Sequence, residues 1–181
     1  MLHLWHDLPL DADSLEDGFD VVIEVPRGSR VKYELDKASG LIRVDRILSS
    51  AVYYPANYGF IPRTYCDDKD PLDVLVLGEF PVSPGALMEV RPIGVMHMVD
   101  GGEDDDKLLA VCTGDPVWKH ARDLADVPPH FLAEIEEFFR SYKALEKKSV
   151  EVHPFEGRQR AFEVLRASIV LYAEHEAALR G

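Results

Sequence analysis

Residues 67–73 read Asp67-Asp68-Lys69-Asp70-Pro71-Leu72-Asp73 and place four carboxylates in seven positions. Pro71 fixes its own φ, lacks a backbone donor and restricts the residue before it, so the segment up to Pro71 is not helical. The apolar run Leu72-Asp73-Val74-Leu75-Val76-Leu77 follows at once and reads as a buried strand. Asp73 therefore falls at the start of that strand, where an ionised carboxylate is costly unless positive charge meets it. At an effective dielectric near 20, like charges ~6 Å apart repel by about 3 kcal/mol. Such a cluster either points into water or shares cations, and hard divalent ions such as Mg²⁺ take oxygen ligands of this kind. A solvated acidic turn is the plain alternative. An EF-hand is excluded, because its fifth and sixth positions would be Leu72 and Asp73, where that loop needs an oxygen donor and a glycine.

Composition narrows the classes. The chain has 181 residues, enough for one domain, 1–181, with a sizeable core. Its 33 acidic and 20 basic residues give a net charge of −13. That argues against non-specific binding to nucleic acid or to an anionic membrane, both of which need a basic surface. No apolar run approaches the ~20 residues of a membrane span. The N-terminal segment is acidic and has no secretory pattern, so the cytoplasm is the expected location. Cys66 and Cys112 form neither a C-x-x-C pair nor a zinc pattern, and are expected to be reduced and partly buried.

Taken in order, residues 1–19 read as an irregular N-terminal arm. Residues 20–25 form a strand, interrupted by Glu24 and closed by Pro26. Residues 30–35 alternate strictly, with Val31, Tyr33 and Leu35 on one face and Arg30, Lys32 and Glu34 on the other. After the turn Asp36-Lys37-Ala38-Ser39-Gly40, residues 41–46 complete a hairpin with its charges on one surface. Residues 51–62 suggest short bent strands, rich in tyrosines whose hydroxyls suit an anion. Residues 87–99 predict a long strand bent at Pro92 and Gly94, ending in a second acidic loop, Asp100 to Lys107. A further strand covers 108–112. The remainder reads as helical, with Asp126 capping a first helix that carries Phe131, Leu132, Ile135, Phe138, Phe139, Tyr142 and Leu145 on one stripe. A last helix covers about 159–179, with Phe162, Leu165, Ile169 and Tyr172 on one side. Many short strands followed by packing helices give an α+β, mainly β class: a small barrel flanked by helices.

Acidic loops beside cationic hairpins suit a polyanion bound together with metal ions. Carboxylates hold the ions, Lys and Arg hold phosphate oxygens, and a further carboxylate takes a proton from water. In these terms the chain resembles the family I soluble inorganic pyrophosphatases over nearly its whole length. The most specific signature is D-x-D-P-x-D, here Asp68, Asp70, Pro71 and Asp73. Supporting blocks are Val22 to Pro26, Lys32-Tyr33-Glu34, Val44-Asp45-Arg46, Tyr54 to Gly59, Arg91 to Val95, Asp100 to Lys107 and Phe138 to Lys143.

The resemblance implies a closed five-stranded barrel of the oligonucleotide/oligosaccharide-binding (OB) type with helices outside. It implies Mg²⁺-dependent hydrolysis of pyrophosphate to two phosphates. Asp68, Asp73 and Asp105 would ligate the water-activating metals, with Asp73 shared, and Asp100 would help hold metal arriving with substrate. Asp70 would be the general base. Glu24 and Glu34 would support the metals through water. Lys32, Arg46, Tyr58, Lys107, Tyr142 and Lys143 would bind phosphate, and Tyr54 would line the site. Only motif position selects Arg46 over Arg43, and only the spacing to Lys107 selects Asp105 over Asp104 and Asp106. Lys69 departs from the common pattern and is expected to point away from the site; His97 is left unassigned. The length resembles prokaryotic members, commonly hexamers, so a homohexamer is expected by resemblance. The competing readings are a non-catalytic divalent-metal-binding barrel and a nucleotide hydrolase; the cations around the cleft disfavour the first, and the lack of a P-loop the second.

Overall fold

The computed structural model describes residues 2–181. Strands dominate: β1 (Phe19–Val25), β2 (Val31–Asp36), β3 (Leu41–Ile47), β4 (Asn57–Phe60), β5 (Asp73–Leu77), β6 (Leu87–Asp100), the short β7 (Glu103–Asp104), β8 (Lys107–Cys112) and β9 (Val150–Gly157). Two helices, α1 (Pro129–Ser141) and α2 (Arg158–Leu179), complete the α+β architecture. Hydrogen bonding runs β1-β4-β5-β8-β6, and β6 returns to β1, so five strands form a ring of pairings. Every pairing in the ring is antiparallel except β5 with β8. β2 and β3 form a separate hairpin.

Local chemistry explains the irregularities. Glu24 sits where the β1–β4 register slips between Ile23 and Val25. That bulge lets one carboxylate enter an otherwise apolar strand. The β6–β8 register slips between Pro92 and Gly94, at the bend the sequence predicts. Gly59 is required by close approach: a Cβ there would stand 1.9 Å from the Val22 carbonyl oxygen. One core packs the ring against α1, through Leu75, Leu109, Ile135 and Phe139; a second packs it against α2, through Val74, Leu108, Phe162 and Leu165.

Three expectations are corrected. Residues 150–157 are a strand on β6, not helix. Val150, Val152 and Phe155 pack on the α1 core, and Pro154 falls within the register slip, where a missing N–H is tolerated. Asp126 does not cap α1; its carboxylate accepts the Arg122 and Asp123 N–H groups at 2.7 and 3.1 Å, closing the short turn before Pro128. Leu145 lies beyond α1 and is 70% exposed, so the apolar stripe ends at Tyr142. The segment before β1 has turns but no regular element, and it packs against the body of the fold. Trp5 is buried and donates its ring N–H to the Thr64 carbonyl at 2.8 Å.

His6 belongs to the same packing, stacked on Trp5 and 2.9 Å from the Tyr172 hydroxyl. Burial, then the His3 and Arg180 charges, hold its pKa below the ordinary 6.5, with Asp7 and Glu176 opposing. Below pH 6.5 the unfolded chain takes up a proton there that the folded chain resists, so this contribution is full above 6.5 and declines as pH falls. The stability difference between the protein and His6→Gln should therefore shrink from pH 7.5 to pH 5 in urea unfolding. A difference independent of pH would contradict it.

Candidate active site

One cavity of about 370 Å³ lies between the β2–β3 hairpin, the open ends of β5 and β8, the β6–β8 connection and the end of α1. Every site residue expected from the sequence lines it: Glu24, Lys32, Glu34, Arg46, Tyr54, Tyr58, Asp68, Asp70, Asp73, Asp100, Asp105, Lys107, Tyr142 and Lys143. Sequence reasoning missed two charged members, Lys37 and Glu103.

The parallel ladder builds the centre. Asp73 and Lys107 are its first partners, so their side chains start side by side. Lys107 is almost wholly buried and reaches Asp73 Oδ2 at 2.7 Å, Asp105 Oδ1 at 2.8 Å and the Tyr58 hydroxyl at 3.3 Å. Tyr58 also donates to Asp73. Burial alone would push the Lys107 pKa down; the Asp105 and Asp73 carboxylates outweigh it and hold it well above normal. Burial, and after it the neighbouring Asp105, raise Asp73, with Lys107 opposing.

Around this centre the other segments contribute in register. Lys32 and Arg46 are cross-strand partners. Lys32 pairs with Glu34 and lies 3.5 Å from Asp45, which Arg46 meets at 2.6 Å. Arg43 instead pairs with Asp36 and is largely exposed. Lys143 pairs with Asp100, and the Tyr142 hydroxyl is 3.3 Å from the same carboxylate. Tyr54 is buried with its ring on Tyr58 and Phe138. Glu24 accepts the Leu35 N–H at 2.6 Å; burial, then Asp73, push its pKa well up.

The loop 66–70 is a tight turn rather than an extended segment. The Cys66 N–H reaches the Asp70 carbonyl at 2.9 Å, and Lys69 adopts φ +68°. Lys69 is exposed and outside the cavity, as expected, but the turn turns it away rather than strand alternation. Asp106 also faces away: His97 lies between it and Glu156, at 2.8 and 2.7 Å. Cys66 and Cys112 are unpaired thiols of intermediate exposure.

Eight carboxylates and five cations line the cavity. The excess negative charge would repel a free polyanion. All the acidic donors are carboxylate oxygens, with no histidine or cysteine in the lining, which suits a hard divalent ion. Among the described residues no three such groups stand at the spacing of a ready-made cation site. Lys107 and Lys143 instead neutralise the nearest acids.

The profile of the inorganic pyrophosphatase family matches residues 21–173. The chain belongs to the inorganic pyrophosphatase family. Hydrolysis of inorganic pyrophosphate, and the class inorganic diphosphatase, go with that membership. The pyrophosphatase chain is 52% identical to soluble inorganic pyrophosphatase 1 of Arabidopsis thaliana over 173 residues, which cover 96% of it and 81% of the relative. A Zea mays soluble inorganic pyrophosphatase is 51% identical, with 96% and 80% covered. The Thermus thermophilus inorganic pyrophosphatase structure superposes with a TM-score of 0.89 at 42% identity, covering 95% of this chain and 99% of that one. The Helicobacter pylori enzyme gives 0.86 at 41%, covering 92% and 98%. No helix among the described residues is long and apolar enough to cross a membrane.

Asp68 supplies a test of the charge balance. Burial, then Asp105, Asp73 and Asp70, lift its carboxyl to about 7, while the Asp70 N–H opposes them. A raised carboxyl favours the folded state when protonated, so this contribution is lost as pH rises from about 4 to about 7. In chelator at pH 8, Asp68→Asn should melt a few degrees above the unsubstituted protein, and the gain should vanish near pH 4. Calorimetry showing no gain at pH 8 would refute this crowding of charge at Asp68.

Proposed function

We propose that this cavity hydrolyses Mg²⁺-pyrophosphate with Asp70 as general base. The observation that carries the reading is the convergence of an oxygen-only acid set with lysine, arginine and tyrosine donors in one cavity. Asp68, Asp73 and Asp105 would hold Mg²⁺, and Asp100 would help hold ions that arrive with the substrate. Bound there, Mg²⁺ supplies the positive charge that the cavity lacks and lowers the pKa of water.

The chain's own groups do the rest. Lys32, Arg46 and Lys143 offer charged donors to phosphate oxygens, and Tyr58 and Tyr142 offer hydroxyls. Burial keeps both phenols protonated, Tyr58 well above its usual pKa, so they act as donors. Lys107 is engaged by two carboxylates and the Tyr58 O–H by Asp73, so their reach to phosphate depends on those acids turning to cations. Asp70 takes the proton of the attacking water. Glu24 and Glu34 add negative charge behind the acids, and Tyr54 closes the wall.

The five-strand ring is read as a closed OB-type barrel, since its single parallel pair joins the third and fifth strands of the ring in chain order. A single domain, a cytoplasmic location and a homohexameric state complete the proposal; size-exclusion chromatography with light scattering tests the last.

Purified protein should release phosphate from pyrophosphate with Mg²⁺ and not in excess chelator. Saturating Mg²⁺ should also raise the melting temperature. Asp70→Asn should lower kcat by about 10²–10⁴-fold. No release by the unsubstituted protein, or undiminished release by Asp70→Asn, would favour the metal-binding barrel instead.

A further inference from the structure

The turn between β2 and β3 carries Lys37, a lining residue to which no role has been given above. Its Nζ lies 2.5 Å from Asp70 Oδ1 and donates to the Lys69 carbonyl at 2.8 Å. One ammonium group therefore grips both the proposed base and the left-handed residue before it. Lys37 meets Asp70 through Oδ1, which leaves Oδ2 with its lone pairs for a proton.

Lys37 is itself held from behind. Its carbonyl lies 3.0 Å from His3 Nε2. The His3 ring packs over Gly40, where an added Cβ would come within 2.8 Å of it. The His3 N–H is bound by Asp7 at 2.8 Å, and Asp7 by Arg180 at 2.9 Å. The N-terminal segment and the end of α2 thus brace the hairpin tip that presents Lys37.

The Lys37 and Asp70 side chains are 45% and 51% exposed. A pair so exposed adds little to stability. Its effect is on where one carboxylate points. A displacement of about 1 Å in a reacting group costs up to about 100-fold in rate.

We propose that Lys37 is a positioning residue for Asp70: it orients the carboxylate toward the cavity and ties the 68–70 loop to the hairpin. The inference rests on the reading of Asp70 as the general base. Lys37 acts through Asp70 and makes no phosphate contact of its own.

The test is a double-mutant cycle in steady-state hydrolysis of Mg²⁺-pyrophosphate, using Lys37→Met, Lys37→Arg, Asp70→Asn and the Lys37→Met/Asp70→Asn double variant. Lys37→Met should lower kcat about 10-fold with KM changed less than about 2-fold. Lys37→Arg should recover most of the loss, since it keeps the charge and the donors. In the Asp70→Asn background, Lys37→Met should cause no further loss. The proposal is overturned by an unchanged kcat in Lys37→Met, by a rise in KM alone, by equal losses in Met and Arg, or by the same loss with Asp70 already removed. Failure of the underlying reading shows separately, as hydrolysis that Asp70→Asn leaves intact.

Discussion

The buried contact between Lys107 and Asp73 is the constraint around which the site is arranged. It exists because β5 and β8 run parallel with those two residues as first partners. A buried ion pair contributes little net stability, since desolvation offsets most of its attraction. Losing one partner is far more costly, because the other is left buried and unpaired. The pair therefore works less as cement than as a fixed charge pattern. It brings Asp105 and Tyr58 to the same ammonium group and defines the floor of the cavity.

The surrounding charges extend the same logic. Lys32 balances Glu34 and Asp45, and Lys143 balances Asp100. Lys107 and Lys143 are held against carboxylates proposed to bind metal, whereas Lys32 and Arg46 pair with Glu34, Asp45 and Glu146. On the proposed reading, ions and substrate arriving together would exchange these internal pairs for new ones, so recognition of the polyanion and of its cations would be coupled. An acidic surface of net charge −13 would not attract pyrophosphate by itself. The affinity has to be generated locally, by charges sequestered from salt and water.

Support for this pattern comes from elements that take no part in chemistry. Phe138 and Phe139 on α1 pack against Tyr54, Tyr58 and Tyr142, so the helix positions the three phenols. The bulge at Glu24 and the close approach at Gly59 bring β1 and β4 tightly together beneath the hairpin. His97 hydrogen-bonds Asp106 of the second acidic loop through Nδ1, with Glu156 of β9 2.7 Å from its Nε2.

Much was legible in the chain itself. Alternation in residues 30–35, the Pro92–Gly94 bend and the apolar run after Pro71 are local signals, and each produced the element it predicts. The acid-rich motif alone left a solvated turn open, and it was the ordered set of blocks along the chain that pointed to the inorganic pyrophosphatase family, to which the chain belongs. Local signals failed where the partner was distant. Residues 150–157 are a strand only because the edge of β6 is there to pair with them, and Asp126 caps a turn rather than α1 because its carboxylate meets backbone N–H groups just upstream. Motif position and spacing had singled out Arg46 and Asp105, but that these line the cavity while Arg43, Asp104 and Asp106 do not, and that Lys37 lies beside Asp70, follow from strand register and loop packing. Those depend on contacts between segments far apart in sequence, which periodicity within either segment does not encode.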